Sequence, residues 1–297
     1  YLYAPLASSQ SPLLNWGHPE NADGFWWMLS GSIYQSYQFG IEGSQIPVRL
    51  SEIAEIALAQ YAFVGIVLAI VGATFVYELG RGFLIASAAS GMLVISYAVG
   101  YDTVDSFLYL IPIFMLLGVF AGVGMAGLLS AVQRTATARG LIEWPRWRDG
   151  LIAVAILAAV PGFSVFANYS ELDLSDDREA QQYAVDSFMT AGRGSVILAT
   201  EAGPIFSLWY QTYVAAPEAD VLVISVPHLQ YDWYWDDIRA QAPDRVPEER
   251  PEKFFDRNRA IIDYNLGTRA VWVAGKTDLY EGNYHLEERG PIRRVLP

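Results

Sequence analysis

The sequence predicts an α-helical multi-pass membrane region of four spans, followed by a small α/β extracytoplasmic domain with a mostly parallel sheet. Three observations carry that expectation. Four uncharged apolar stretches occupy residues 56–77, 83–100, 106–133 and 151–167. Arginines gather in two of the loops joining them. After Asn168 the chain becomes charged and alternates strand-like with helix-like runs.

Each stretch reaches the ~17 apolar residues that a span requires, and four core helices without a polar face would be an unusual soluble pattern. The third is long enough to tilt, or to bend at Gly118, Gly122 and Gly124; Pro161 is expected to kink the fourth. Arg81 lies between the first two spans, and Arg134, Arg139, Arg146 and Arg148 lie between the last two. The GYDTVD turn between spans two and three has Asp102 and Asp105 and no basic residue. Positive loops stay cytoplasmic. Residues 1–55, the 101–105 turn and residues 168–297 then face outward. The expected division is an outer loop with an interfacial helix (1–55), four spans (56–167) and an outer α/β domain (168–297), in an integral protein of a bacterial plasma membrane.

Composition agrees with this class. Of 297 residues, 53% are hydrophobic and only 17% charged, which is too apolar for an ordinary soluble chain. A net charge of −13 argues against a nucleic-acid partner, which would need a basic stripe. With no cysteine, disulfides, thiol chemistry and Cys-based zinc sites are excluded. The chain opens at Tyr1 with no basic segment ahead of its apolar residues, so it reads as a fragment of a longer protein rather than as one opening on a signal peptide.

In the tail, SVILAT (195–200), DVLVISV (220–226) and AVWVAG (270–275) read as buried strands, with helices over 207–214 and 232–240 between them. Strand, helix, strand in succession predicts a parallel layer. YHLEERGPIRRVL reads as an edge hairpin turning at Gly290–Pro291. The charged run 243–256 reads as a solvated excursion.

The stretch LLNWGHPENADGFWW (13–27) holds Trp16, Trp26 and Trp27 in a segment too polar to cross a bilayer. Asn21 or Asp23 is suited to cap a helix starting near Gly24, which would put Trp26, Leu29, Ile33 and Tyr37 on one face. Such a helix suits the membrane interface. It is either an aromatic anchor or the border of a groove for an amphiphilic substrate, since aromatic faces stack on sugars and polyprenyl chains alike.

These residues also carry a resemblance. Tyr1–Pro5 (YLYAP), Asn15–Pro19 (NWGHP) and Gly24–Trp26 (GFW), then YDTVDSFLYLIPIF, ATEAGPIFSLWYQTYV and ADVLVISVPHLQYDWYWDDI, resemble in order a multi-pass membrane family formerly of unknown function. That family belongs to the GT-C glycosyltransferase class, and its animal member is a secretory-pathway protein O-mannosyltransferase acting on plexin-type IPT domains. The resemblance runs over nearly the whole chain. His18 stands where many relatives are acidic, and Glu201-Ala202 replaces a more polar run. It implies the C-terminal part of an inverting transferase that moves a sugar, with mannose a possibility, from a polyprenyl phosphate to a protein or glycan acceptor. It also implies that the acceptor's base lies in a loop outside this sequence, which leaves the catalytic residues unassigned.

Such chemistry needs a carboxylate near the acceptor and cationic or hydrogen-bonding groups near the leaving phosphate. Candidates for substrate binding are Asn15, Trp16, His18, Trp26, Arg49, Asp102 and Asp105, with Glu20 and Asp23 also on the outer face. Asp102 and Asp105 equally suit capping of span three. Arg49 equally suits headgroup anchoring, and His18 a turn. YDWYWDDI reads as a sugar platform or as an aromatic packing helix. No metal site and no cofactor is expected; the expected partners are membrane lipids, the lipid-linked sugar and the acceptor. The alternative is a non-enzymatic binding module or lipid-linked sugar carrier, which would carry ionisable groups inside its spans.

Overall fold

A computed structural model describes residues 2–138, 162, 165, 166 and 168–297, apart from Val104, Glu281 and the side chains of Glu78, Leu79 and Ala136. The expected fourth span at 151–167 and the loop arginines 139, 146 and 148 fall outside the described residues, but for three positions within that span. In chain order the helices are α1 (Ala4–Ser8), α2 (Ala22–Leu29), α3 (Ile46–Leu79), α4 (Arg81–Gly100), α5 (Ile111–Ala138), α6 (Glu179–Ala191), α7 (Ala202–Tyr210), α8 (Asp232–Gln241) and α9 (Phe254–Leu266). The strands are β1 (Val196–Ala199), β2 (Leu222–Ser225), β3 (Val271–Ala274), β4 (His285–Arg289) and β5 (Ile292–Leu296).

The contacts divide the chain into two units, Tyr1–Gly31 with Ser175–Pro297, and Ser32–Leu174. This differs from the division read from the sequence: the opening stretch groups with the tail, while residues 32–55 group with the apolar helices. The divide falls where α2 stops. Ser30 ends the helix, Gly31 takes a φ of 61°, and Ser32–Tyr37 continues as a 3-10 turn. Glycine enters the left-handed region without the Cβ clash that other residues meet, and helices commonly end there. The expected helix over 24–37 is therefore cut short, and Trp26 and Leu29 do not share a helix face with Ile33 and Tyr37.

Among the described residues of the helical unit, three helices are long and apolar enough to cross a membrane. Proline near the start of α3 is accommodated at its first turn, where the missing N–H has no helical partner to lose. The helix is interrupted at Ala62, whose φ is 51°. Helices α3 and α5 meet backbone to backbone. A Cβ on Gly124 would lie 2.0 Å from the Leu68 carbonyl oxygen, and one on Gly72 1.8 Å from that of Phe120. Small residues allow such close crossings where no hydrophobic force drives helices together in lipid. Gly124 thus serves close packing in a single helix from Ile111 to Ala138. Tyr61 adds a hydroxyl bond to the Phe114 carbonyl at 2.5 Å.

The other unit is built on one sheet of order β2-β1-β3-β5-β4. The three strands expected from 195–200, 220–226 and 270–275 form β1, β2 and β3 and pair in parallel. Every residue in them is buried, because both faces are covered, which is why they read as nearly continuous apolar runs. The sheet as a whole is mixed, correcting the expectation of a mostly parallel one. β5 joins β3 antiparallel, and β4 pairs β5 antiparallel across Gly290–Pro291. A two-residue turn permits only antiparallel pairing; a parallel return needs a crossover of a dozen or more residues. The 243–256 run is mostly exposed, as a solvated excursion should be, but it is anchored at a few points. Val246 is fully buried, and the buried Arg257 donates to the carbonyls of Pro251 (2.7 Å) and Leu229 (2.9 Å) and to Asp232 (2.6 Å).

Candidate functional site

The expected site residues divide between the units. Asn15, Trp16, His18 and Trp26 belong to the sheet unit; Arg49, Asp102 and Asp105 belong to the helical unit.

In the sheet unit, Gly17 (φ 73°) and His18 (φ 52°) form a left-handed turn seated against α2. A Cβ on Gly17 would lie 2.5 Å from the Trp27 ring, and one on Gly24 2.1 Å from the His18 carbonyl oxygen. Asn21 caps α2 by accepting from the Gly24 amide at 2.7 Å, one of the two caps the sequence offered. The turn aims His18 at two carboxylates. Its Nδ1 lies 2.8 Å from Glu20 and its Nε2 2.9 Å from Asp237 on α8. Asn15 is buried, donates to Glu20 at 3.2 Å and lies 3.2 Å from His18 Nδ1; its carbonyl accepts from Ser8 at 2.6 Å. The Ser8 hydroxyl also meets Glu20.

Charge balance in this network is internal. Burial disfavours the His18 imidazolium, but the Glu20 hydrogen bond and the Asp237 charge outweigh it and raise the pKa above 6.5. Burial likewise opposes the Glu20 carboxylate, yet bonds from Ser8, its own backbone, His18 and Asn15 bring it down to about 2. For Asp237 burial prevails over the His18 charge, and its pKa is raised. A proton held by one imidazole between two carboxylates suits a latch better than a general base, which must be free to accept one.

Aromatic packing completes the latch. Trp16 sits edge-on to His228 at 4.5 Å and tilts against Trp233 at 6.4 Å; Trp27 meets Tyr231 and Trp233 at 5.3 and 6.0 Å. His228 is buried, bonded to Ser225 through Nδ1 at 2.5 Å, and burial pushes its pKa down to about 4. The cavity left beside Asn15, Trp16 and Trp233 is about 10 Å³, room for about one water at most. Within this unit Asn15 and Trp16 pack against α8 without lining an open groove there. Trp26 is 64% exposed and touches Phe25 edge-on. The YDWYWDDI segment forms α8, with Tyr234, Trp235 and Ile238 buried and Trp233 facing the opening stretch.

In the helical unit, Arg49 donates from Nη1 to the Thr103 carbonyl at 3.0 Å and to the Ser106 hydroxyl at 2.6 Å. Asp105 occupies the cap position of a 3-10 turn, Ser106–Leu110, without a side-chain cap bond, so the arginine rather than the aspartate braces that turn. Asp102 is exposed, and its amide donates to the Tyr37 carbonyl at 2.9 Å. Arg49 lines a cavity of about 300 Å³ with Glu52, Glu55, Ile53, Ile56, Ala98 and Phe107. Glu52 and Glu55 were not singled out from the sequence; their spacing of three on a helix also lined by Arg49 is the signal that was present. Among the described residues, no group of three or more His, Asp or Glu is placed to hold a metal ion.

Compared with protein-family models, with curated proteins and with solved structures, the chain matches none of them.

Proposed function

We propose that this chain is part of a GT-C-class membrane glycosyltransferase that moves a sugar from a polyprenyl-phosphate donor to a protein or glycan acceptor, with mannose the first sugar to test. The reading includes a fourth span at 151–167, an extracytoplasmic sheet unit, and a bacterial plasma membrane as its location. Its sequence support is the ordered resemblance from YLYAP to YDWYWDDI and the arginine asymmetry of the loops.

The observation that carries it is the Arg49 cavity. It lies where the start of α3, the end of α4 and the turn before α5 come together, with a cation and two carboxylates against Ile53, Ile56, Ala98 and Phe107. A lipid-linked donor needs this mixture, because its phosphate seeks a guanidinium while its tail stays in hydrocarbon. In the transfer, the acceptor oxygen attacks the anomeric carbon and the bond to phosphate breaks. The acceptor's proton passes to a carboxylate base, and Arg49 balances charge on the departing phosphate. By the resemblance, that base belongs to a loop outside these residues, so the chain alone is expected to bind donor without transferring sugar.

Farnesyl phosphate titrated into the full chain in nanodiscs tests the reading. Arg49→Ala should weaken binding about tenfold, the cost of about one charge-assisted hydrogen bond, while Arg49→Lys retains most of it. Equal binding by wild type and Arg49→Ala would remove the basis for the reading. Single cysteines at Ala240 and Gly140, in a chain with none of its own, test orientation: Ala240 should label from outside and Gly140 only from inside.

A further inference from the structure

The sheet unit contains a second cavity, of about 540 Å³, at the carboxyl ends of β1 and β3. Its position follows from topology. β1 lies between β2 and β3, so the chain leaves β1 into α7 toward one side and leaves β3 toward the hairpin on the other. Neighbouring strands whose continuations diverge leave a crevice beyond their carboxyl ends, where open α/β sheets bind ligands. The floor is preformed. Thr200 Oγ1 donates to the Ala274 and Lys276 carbonyls at 3.2 and 3.0 Å, joining the two strand ends. Gly275 turns there with a φ of 98°, in a space where a Cβ would lie 2.7 Å from Thr200 Oγ1.

From this geometry we infer that the crevice binds a neutral, hydroxyl-rich ligand: a saccharide unit. Its volume falls in the range of about 300–1,000 Å³ usual for small-molecule sites, but its lining is far more polar than most. Glu201, Asp278 and Glu288 present acceptors, and Lys276 and Arg293 present donors. An apolar ligand would strand these groups, and a phosphate would face three carboxylates. Vicinal hydroxyls donate to a carboxylate and accept from a guanidinium at once, so alternating signs suit them. Four of these five groups are held in two exposed ion pairs, Lys276–Glu201 at 3.3 Å and Arg293–Glu288 at 3.1 Å. Exposed pairs contribute little, so hydroxyls can displace them at small cost. The Tyr183 ring and Pro204 add an apolar margin for a sugar's C–H face.

This inference does not rest on the glycosyl-transfer reading. The test is saturation-transfer NMR on the full chain in nanodiscs, with methyl α-mannoside, methyl β-glucoside and maltotriose as probes and inorganic phosphate as competitor. At least one saccharide should receive saturation at millimolar concentration. Glu201→Gln and Asp278→Asn should each weaken it about tenfold, and Arg49→Ala should leave it unchanged. Silence from all three saccharides, displacement by phosphate, or wild-type binding in both carboxylate variants would overturn the proposal.

Discussion

The sheet unit and the helical unit dispose of apolar surface in opposite ways. In the sheet unit, Val196, Ile197, Leu198 and Ala199 are fully buried, and Trp235 and Ile261 are within 1% of it. In the helical unit Phe63, Leu93 and Met115 are 74%, 74% and 69% exposed, and burial is confined to places such as Leu110 and Phe114. One unit hides side chains from water; the other turns them outward and holds together through glycine contacts and backbone-directed hydrogen bonds. Outward apolar side chains suit helices that are apolar enough to cross a membrane, since helices in lipid gain nothing by hiding leucine.

Substitutions can break this contrast, and the largest effect belongs to the water-facing unit. Ile197→Ala should cost about 2–5 kcal/mol, because a tightly enclosed strand leaves a cavity. Denaturant unfolding followed by tryptophan fluorescence would measure it. In the helical unit the damaging change is an addition. Gly124→Ala places a methyl against the Leu68 carbonyl and should cost about 1–3 kcal/mol, read as a lowered melting temperature in detergent. Gly122→Ala, which meets nothing within 4 Å, should be neutral there. Asn21→Ala should cost about 1 kcal/mol through the lost α2 cap, and Asn21→Gly only a few tenths.

The smallest effect is the pH response of the opening stretch. His18 has a raised pKa, so its contribution is complete below 6.5 and lost as pH rises through the folded value. Glu20 is depressed from 4.5 to about 2, so its contribution is present above 4.5 and lost as pH falls toward 2. Asp237, raised above 3.8 by burial, also favours the lower side. Docking of the stretch should therefore be firmest between pH 4.5 and 6.5, measured by hydrogen exchange at residues 15–25. His18→Ala should remove the loss on the alkaline side.

Particular residues explain what was legible in the sequence. SVILAT, DVLVISV and AVWVAG were readable as strands because burial on both faces leaves Ser225 as the one polar residue within the three strands. Three apolar helices were readable by length alone. The start of α3 was not. Glu52 and Glu55 end the apolar run at residue 56, whereas the helix begins ten residues earlier at Ile46. Ala62 gives no sequence sign of its φ of 51°. Gly31 between two serines was tolerated within an apparent helix, although it ends one. Asp237 was invisible as the partner of His18 because the two lie 219 residues apart and no local pattern joins them.

Residues 1–31 belong to the sheet unit, held there by the His18 network and by Trp16. Hydrogen exchange of the full chain in nanodiscs, wild type against Asp237→Ala, tests it most directly. The wild type should protect the amides of residues 17–25. The variant should lose that protection while β1 and α5 exchange as before. Rapid exchange of residues 17–25 in the wild type, or protection unchanged in Asp237→Ala, would contradict this docking of the opening stretch.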